Sequence, residues 1–126
     1  MKCLLDTHYL IWIVTNAGRL KKFPWLERYA PWGISPVTFL EIQLLAESGR
    51  LKSRSVEFIE AVKTDTRFVL DDVAASVLFQ KALSLGWTRD PFDRLLVAHS
   101  LSRRVPLCTT DSIIQEHHTL IVPELR

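Results

Sequence analysis

Apolar positions along the chain switch repeatedly between strand-like runs and helical spacing, and that switching predicts an α/β fold. "KCLLD" is a continuous apolar run ending in Asp6 and reads as a strand buried on both faces. "HYLIWIVTN" follows as a short helix stopped around Ala17 and Gly18, and Pro24 opens a second predicted helix in "PWLERYA". "WGIS" is a short strand; Ser35 then caps, and Pro36 takes the first helical position, of "PVTFLEIQLLAES", with Gly49 as the stop. "SVEFIEAVKTD" is an amphipathic helix, "RFVLDD" a strand and "VAASVLFQKALSLG" a helix ending at Gly86. The remainder reads as the helix "PFDRLLVAHSLSRR", the strand "VPLCTTD", a brief turn at "SIIQEHH" and a last strand "TLIVP". Strands separated by helical crossovers imply parallel pairing, hence a three-layer α/β/α domain with a small central parallel sheet.

Composition narrows this picture. A chain of 126 residues suits a single domain, 1–126, and is long enough to bury a core without crosslinks. Its apolar runs, such as "LIWIV" and "LLVA", fall far short of a membrane span. Asp6 and His8 interrupt the amino-terminal apolar stretch and no small-residue cleavage site follows, which argues against a secretory signal. Cys3 and Cys108 each sit in a strand-like run, where a reduced, buried thiol is the ordinary state. Together these features point to the cytoplasm.

Four carboxylates carry the candidate chemistry. Asp6 ends the first strand, Asp111 follows the strand "VPLCTT", Glu41 lies about one turn inside the helix after "WGIS", and Asp93 lies in the first turn of its helix. Ligands of open parallel sheets bind beyond the carboxyl ends of the strands, so acids far apart in sequence can meet on that rim. Left alone they would repel one another; a hard cation, Mg²⁺ or Mn²⁺, resolves the repulsion and serves phosphodiester hydrolysis. Each acid also has a plainer role. Asp111 could cap "DSII", and Glu41 could be a helix surface residue. Asp90, immediately before Pro91, fits an N-cap closely, and Asp93 could be its capping-box partner. The formal net charge is only +2, but four acids committed to a metal would leave ten against 16 lysines and arginines. The remaining surface would then be about +6, which suits a polyanion. The four histidines have no zinc-like spacing; His117 and His118 are expected to be exposed, and Trp12 to lie in the core.

The segments "LLDTHYLIW", "ISPVTFLEIQLLAESGRL", "RDPFDRLLVAHSL" and "VPLCTTD" resemble, in order, those of PIN domains, and more narrowly the VapC-type toxins of type II toxin–antitoxin systems. The resemblance implies a parallel sheet with helices on both faces and a Mg²⁺- or Mn²⁺-dependent endoribonuclease with a cognate antitoxin. The family's acids fall on Asp6, Glu41, Asp93 and Asp111, with Thr7, Asp90 and Thr109 as supporting residues. His8, Ser100 and Thr110 stand where relatives vary or carry other residue types. Arg89 and Arg94 flank the third acid, and Arg50, Lys52 and Arg54 form a basic strip; these are the expected RNA-binding residues. Phe23, Trp25, Tyr29 and Trp32 crowd "FPWLERYAPW", which suggests a homodimer surface.

Competing readings remain. A haloacid-dehalogenase phosphatase needs a second aspartate where His8 stands, and a receiver domain needs a lysine that "VPLCTTD" lacks. The stronger alternative is a non-catalytic nucleic-acid- or protein-binding module of the same fold, its acids reduced to caps and surface charges.

Overall fold

The computed structural model describes residues 1–126. Four short parallel strands, β1 (Cys3–Leu5), β2 (Trp32–Ile34), β3 (Phe68–Leu70) and β4 (Leu107–Cys108), form one sheet in the order β3-β2-β1-β4. β1 is therefore central, pairing Cys3 with Trp32 on one side and Leu5 with Cys108 on the other. Strand order reverses at β1, because β2 and β3 extend to one side and β4 lies on the other. The crevice beyond the ends of β1 and β4 is the position at which doubly wound sheets bind ligands.

Side-chain alternation along β1 divides the core in two. Cys3 and Leu5 pack into a cluster with Tyr9 and Leu10 of α1 (Thr7–Val14), Ile42 of α2 (Val37–Glu47) and Phe58 of α3 (Ser55–Thr64). Leu4, between them, packs with Leu107, with Leu96 and Val97 of α5 (Pro91–Arg103), and with Ile114 of α6 (Ser112–His117). Helices cover both faces, so a strand of three residues has no solvent side, which is why its sequence is uniformly apolar. A third cluster, Leu78 and Ala82 of α4 (Ala75–Ala82) against Ala98, seats α4 on α5. No helix is long and apolar enough to cross a membrane.

Three sequence expectations change. "PWLERYA" forms one 3-10 turn, Leu26–Tyr29, instead of an α-helix. The buried Trp32 indole N–H takes the Leu26 carbonyl at 3.0 Å, and the neighbouring aromatics fold inward. "SIIQEHH" forms α6 instead of a simple turn, with Asp111 accepting from the Ile113 and Ile114 amides. "TLIVP" makes a single parallel bridge, Leu107 to Ile121, and no extended strand. Pro123 has no N–H to continue a ladder, and it opens a 3-10 turn instead.

The aromatic cluster and the histidines also differ from expectation. Trp32 is buried, and Phe23, Trp25 and Tyr29 contact one another edge-on while packing against the core. Much of the aromatic crowding is spent on internal packing, while Phe23, Trp25 and Tyr29 each stay partly exposed. His118 is buried, its Nε2 2.9 Å from Ser100 Oγ, which itself donates to the Val105 carbonyl at 2.6 Å. Burial holds its pKa below the ordinary histidine value, aided by the nearby Arg126 charge. His117 is exposed and stacks on Trp87 at 5.0 Å. His99 is buried against Asp71 at 2.7 Å. The two cysteines are buried free thiols, as their strand positions imply.

Candidate active site

Helix starts build the site, because each crossover begins or ends at the same rim of the sheet. Asp6 leaves β1 and is at once the N-cap of α1, its Oδ1 accepting from the His8 amide at 2.9 Å and the Tyr9 amide at 3.4 Å. Its Oδ2 accepts from the Thr109 hydroxyl at 2.5 Å, across the β1–β4 junction. Asp111 repeats the arrangement at the end of β4, capping α6 through Oδ1 at 2.9 and 3.0 Å. Glu41, one turn inside α2, is held by a short hydrogen bond from the Thr7 hydroxyl to Oε1. Asp93, in the first turn of α5, accepts no hydrogen bond within the chain; Asp90 supplies the cap instead, accepting from the Phe92 and Asp93 amides at 2.8 and 3.2 Å.

Asp6, Glu41, Asp93 and Asp111 line one open cavity of 250 Å³. Asp90 lies off this cavity but borders a second one of 490 Å³, which shares Glu41, Asp93 and Asp111 with the first. The two acids of "RDPFDR" thus differ in their bonds: Asp90 caps α5 through Oδ1, whereas Asp93 has both oxygens uncommitted.

Crowding of like charges shows in the proton affinities. Burial pushes the Asp93 carboxyl up to about 7, and the charges of Asp90, Asp111, Glu41 and Asp6 push the same way. Burial also raises Asp6, against the lowering effect of the Thr109 bond. Glu41 is raised by burial and by Asp6 and Asp90, opposed by the bond from Thr7. Such a cluster is costly without a cation to neutralise it.

The donor set fits a hard divalent ion. All four groups are carboxylates, and Glu41 Oε2, Asp111 Oδ2 and both oxygens of Asp93 have no partner in the chain. The side chains do not converge into a closed ligand shell, since no three of them stand close enough together to hold an ion. Caps and threonines hold both oxygens of Asp6 and one oxygen each of Asp111 and Glu41.

The basic residues behave unequally. Arg50 borders the second cavity. Arg89 and Lys52 are exposed and line neither cavity. Arg54 stands 4.0 Å from Glu57. Arg94 turns away: its Nε donates to the Thr88 carbonyl at 2.7 Å and a terminal nitrogen to the Ala82 carbonyl at 3.3 Å. It fastens the end of α4 to α5 and does not present its charge to the cavity. Arg19, which is not among the expected residues, lines the first cavity, and Trp12, expected in the core, lines both. The signal for Arg19 is the turn marked by Asn16 and Gly18, which can return the chain over α1.

The PIN domain family model matches residues 3–118, from the first strand to the end of the last helix. Among solved structures, a toxin–antitoxin complex from Klebsiella pneumoniae superposes with a TM-score of 0.63 at 17% identity, over 95% of each chain. VapBC2 from Rickettsia felis, bound to a DNA fragment from its promoter, gives 0.65 at 16% identity over 96% of each chain. No curated protein sequence matches significantly.

Proposed function

The chain belongs to the PIN domain family, whose members are in general nucleases, and we propose that it is a divalent-metal-dependent endoribonuclease, the VapC-type toxin of a toxin–antitoxin pair. One observation carries the reading: carboxylates from four separate segments, Asp6, Glu41, Asp93 and Asp111, share one cavity at the switch point of the sheet. A bare cap or surface acid has no reason to do so. Asp93 goes further, with a carboxyl pushed up to about 7 by burial and like charges and no hydrogen bond to offset either.

These four residues would hold Mg²⁺ or Mn²⁺. Such an ion, when bound, polarises the scissile phosphate and activates a water for attack. The chain's contribution is positioning. Thr109 and two amides fix Asp6, Thr7 fixes Glu41, and two amides fix Asp111, so three acids are preset by bonds that do not depend on the ion. Asp93 is the adaptable member, free to turn toward whatever neutralises it. Thr7 and Thr109 act by orienting carboxylates, and Asp90 by starting the helix that carries Asp93.

An antitoxin partner is supported by the toxin–antitoxin complexes that share the fold. Purified protein should cleave single-stranded RNA in Mg²⁺ or Mn²⁺, lose activity in EDTA and recover it on adding the metal back. RNA binding with no cleavage under any divalent ion would instead favour a non-catalytic module. The self-association expected from the sequence is tested by light scattering, where a dimer mass at micromolar concentration is the expected result.

A further inference from the structure

Arg19 is the one cation lining the four-acid cavity, and nothing in the chain uses it. Its guanidinium carbon lies 4.9 Å from the centroid of the Trp12 ring, yet it makes no hydrogen bond and no ion pair. An arginine beside several carboxylates would ordinarily collapse onto one of them, forming a bidentate pair. Here the backbone seats it elsewhere. The chain leaves α1, reverses at Asn16 with φ of 52°, and closes the reversal with the Ala17 amide donating to the Trp12 carbonyl at 2.9 Å. The 3-10 turn Gly18–Lys22 then carries Arg19 back over the indole, whose π-face attracts the cation and limits its freedom.

The second cavity extends the same feature. Both cavities share His8, Trp12, Glu41, Asp93 and Asp111; Arg19 lines only the first, and Arg50 only the second. They join across those shared residues, three of which are acids, into one trough whose unshared parts each hold an arginine. A polyanionic strand crossing the shared part is repelled by the acids and needs cations where its neighbouring phosphates lie. A guanidinium has five N–H donors in a planar fork that matches a phosphate, and those of Arg19 are all uncommitted.

Resting on the nuclease reading above, we infer that Arg19, seated on Trp12, binds an RNA phosphate flanking the one held at the acids, with Arg50 binding its counterpart on the other side. The trough therefore takes a single strand, and Trp12 acts as a positioning residue by fixing where Arg19 can stand.

The test is equilibrium binding of a fluorescein-labelled single-stranded RNA oligonucleotide of mixed sequence, followed by anisotropy in EDTA across a salt series. Each lost phosphate contact should reduce the slope of log K against log salt by about 0.7 for a single strand. Arg19→Ala should bind about tenfold more weakly, the scale of one charge-assisted contact, with the slope reduced by that amount. Arg19→Lys should restore the slope, because the charge remains, but only part of the affinity, because the fork is lost. Arg50→Ala should reduce the slope by a similar step, and the double variant by both. Melting temperatures should move little, since both arginines are exposed and make no hydrogen bond or ion pair. Wild-type binding with Arg19→Ala equal to it in affinity and slope would overturn the inference alone. Weaker binding with an unchanged slope would also overturn it, because the loss would not be of a phosphate contact. A wild type that neither binds nor cleaves RNA would overturn the nuclease reading and this inference together.

Discussion

Asp93→Asn should stabilise the protein when no metal is present, and the gain should depend on pH in a defined way. The Asp93 carboxyl keeps its proton to about 7 in the fold, against about 3.9 in an unfolded chain. Between those values the folded state binds more protons than the unfolded one. Stability is therefore lost as pH rises through this window, and the whole penalty is present above 7. A shift of about three pK units corresponds to a ceiling of about 4 kcal/mol. The side chain is only partly buried, so water and salt screen much of that. The α5 dipole, which favours the ionised form, also gives back about 0.5 kcal/mol that Asn forgoes. The expected net gain is about 1–2 kcal/mol. For a domain of this size that raises Tm by roughly 4–8 °C. Thermal melts in EDTA at pH 8 and pH 4.5 measure it: the variant should melt higher at pH 8 and converge on the wild type at pH 4.5. Added Mg²⁺ should raise the wild type more than the variant, whose cluster has already lost a charge. A variant that melts at or below the wild type at pH 8 in EDTA would refute the picture of an electrostatically strained cluster.

Other substitutions separate positioning from chemistry. Asp6→Asn and Asp111→Asn should abolish Mg²⁺- or Mn²⁺-dependent RNA cleavage while keeping the fold, since asparagine still caps α1 and α6; circular dichroism and single-turnover assays decide, and near-normal cleavage at saturating Mn²⁺ would count against the four-acid site. Asp90→Ala should cost about 1 kcal/mol in denaturant melts through the lost α5 cap, and Asp90→Asn should be milder in both stability and cleavage; an inactive Asp90→Asn beside an active Asp93→Asn would mean that the third acid is Asp90. Arg94→Ala should cost about 1–2 kcal/mol, because two carbonyls lose a charged donor, and should leave the salt dependence of RNA binding unchanged. Ser100→Ala should cost about 1–2 kcal/mol by leaving the buried His118 ring nitrogen without its hydroxyl partner.

The sequence by itself determined the alternation of elements, the both-face burial of β1 and the placing of acids at strand ends and helix starts. These are local facts: an uninterrupted apolar run needs cover on two sides, and Asp90 before Pro91 must start a helix. Only the tertiary structure decided what those residues face. Nothing in the linear pattern tells Asp90 from Asp93, because both suit a helix N-terminus; the fold does, committing one oxygen of Asp90 to the cap and leaving both of Asp93 free, although both border the trough. "PWLERYA" has helical composition, yet Trp32 claims the Leu26 carbonyl and leaves only a 3-10 turn. His118 looks like a surface residue until α5 brings Ser100 against it from 18 positions away. Arg94, beside the third acid in sequence, is taken by the end of α4, whereas Arg19, 13 positions from Asp6, is returned to the site by a turn. Side-chain direction depends on which partners the fold supplies, and long cationic side chains have the most directions to choose from. Helix starts and strand ends are written in adjacent residues, but the trough that they surround comes from packing across the whole sheet.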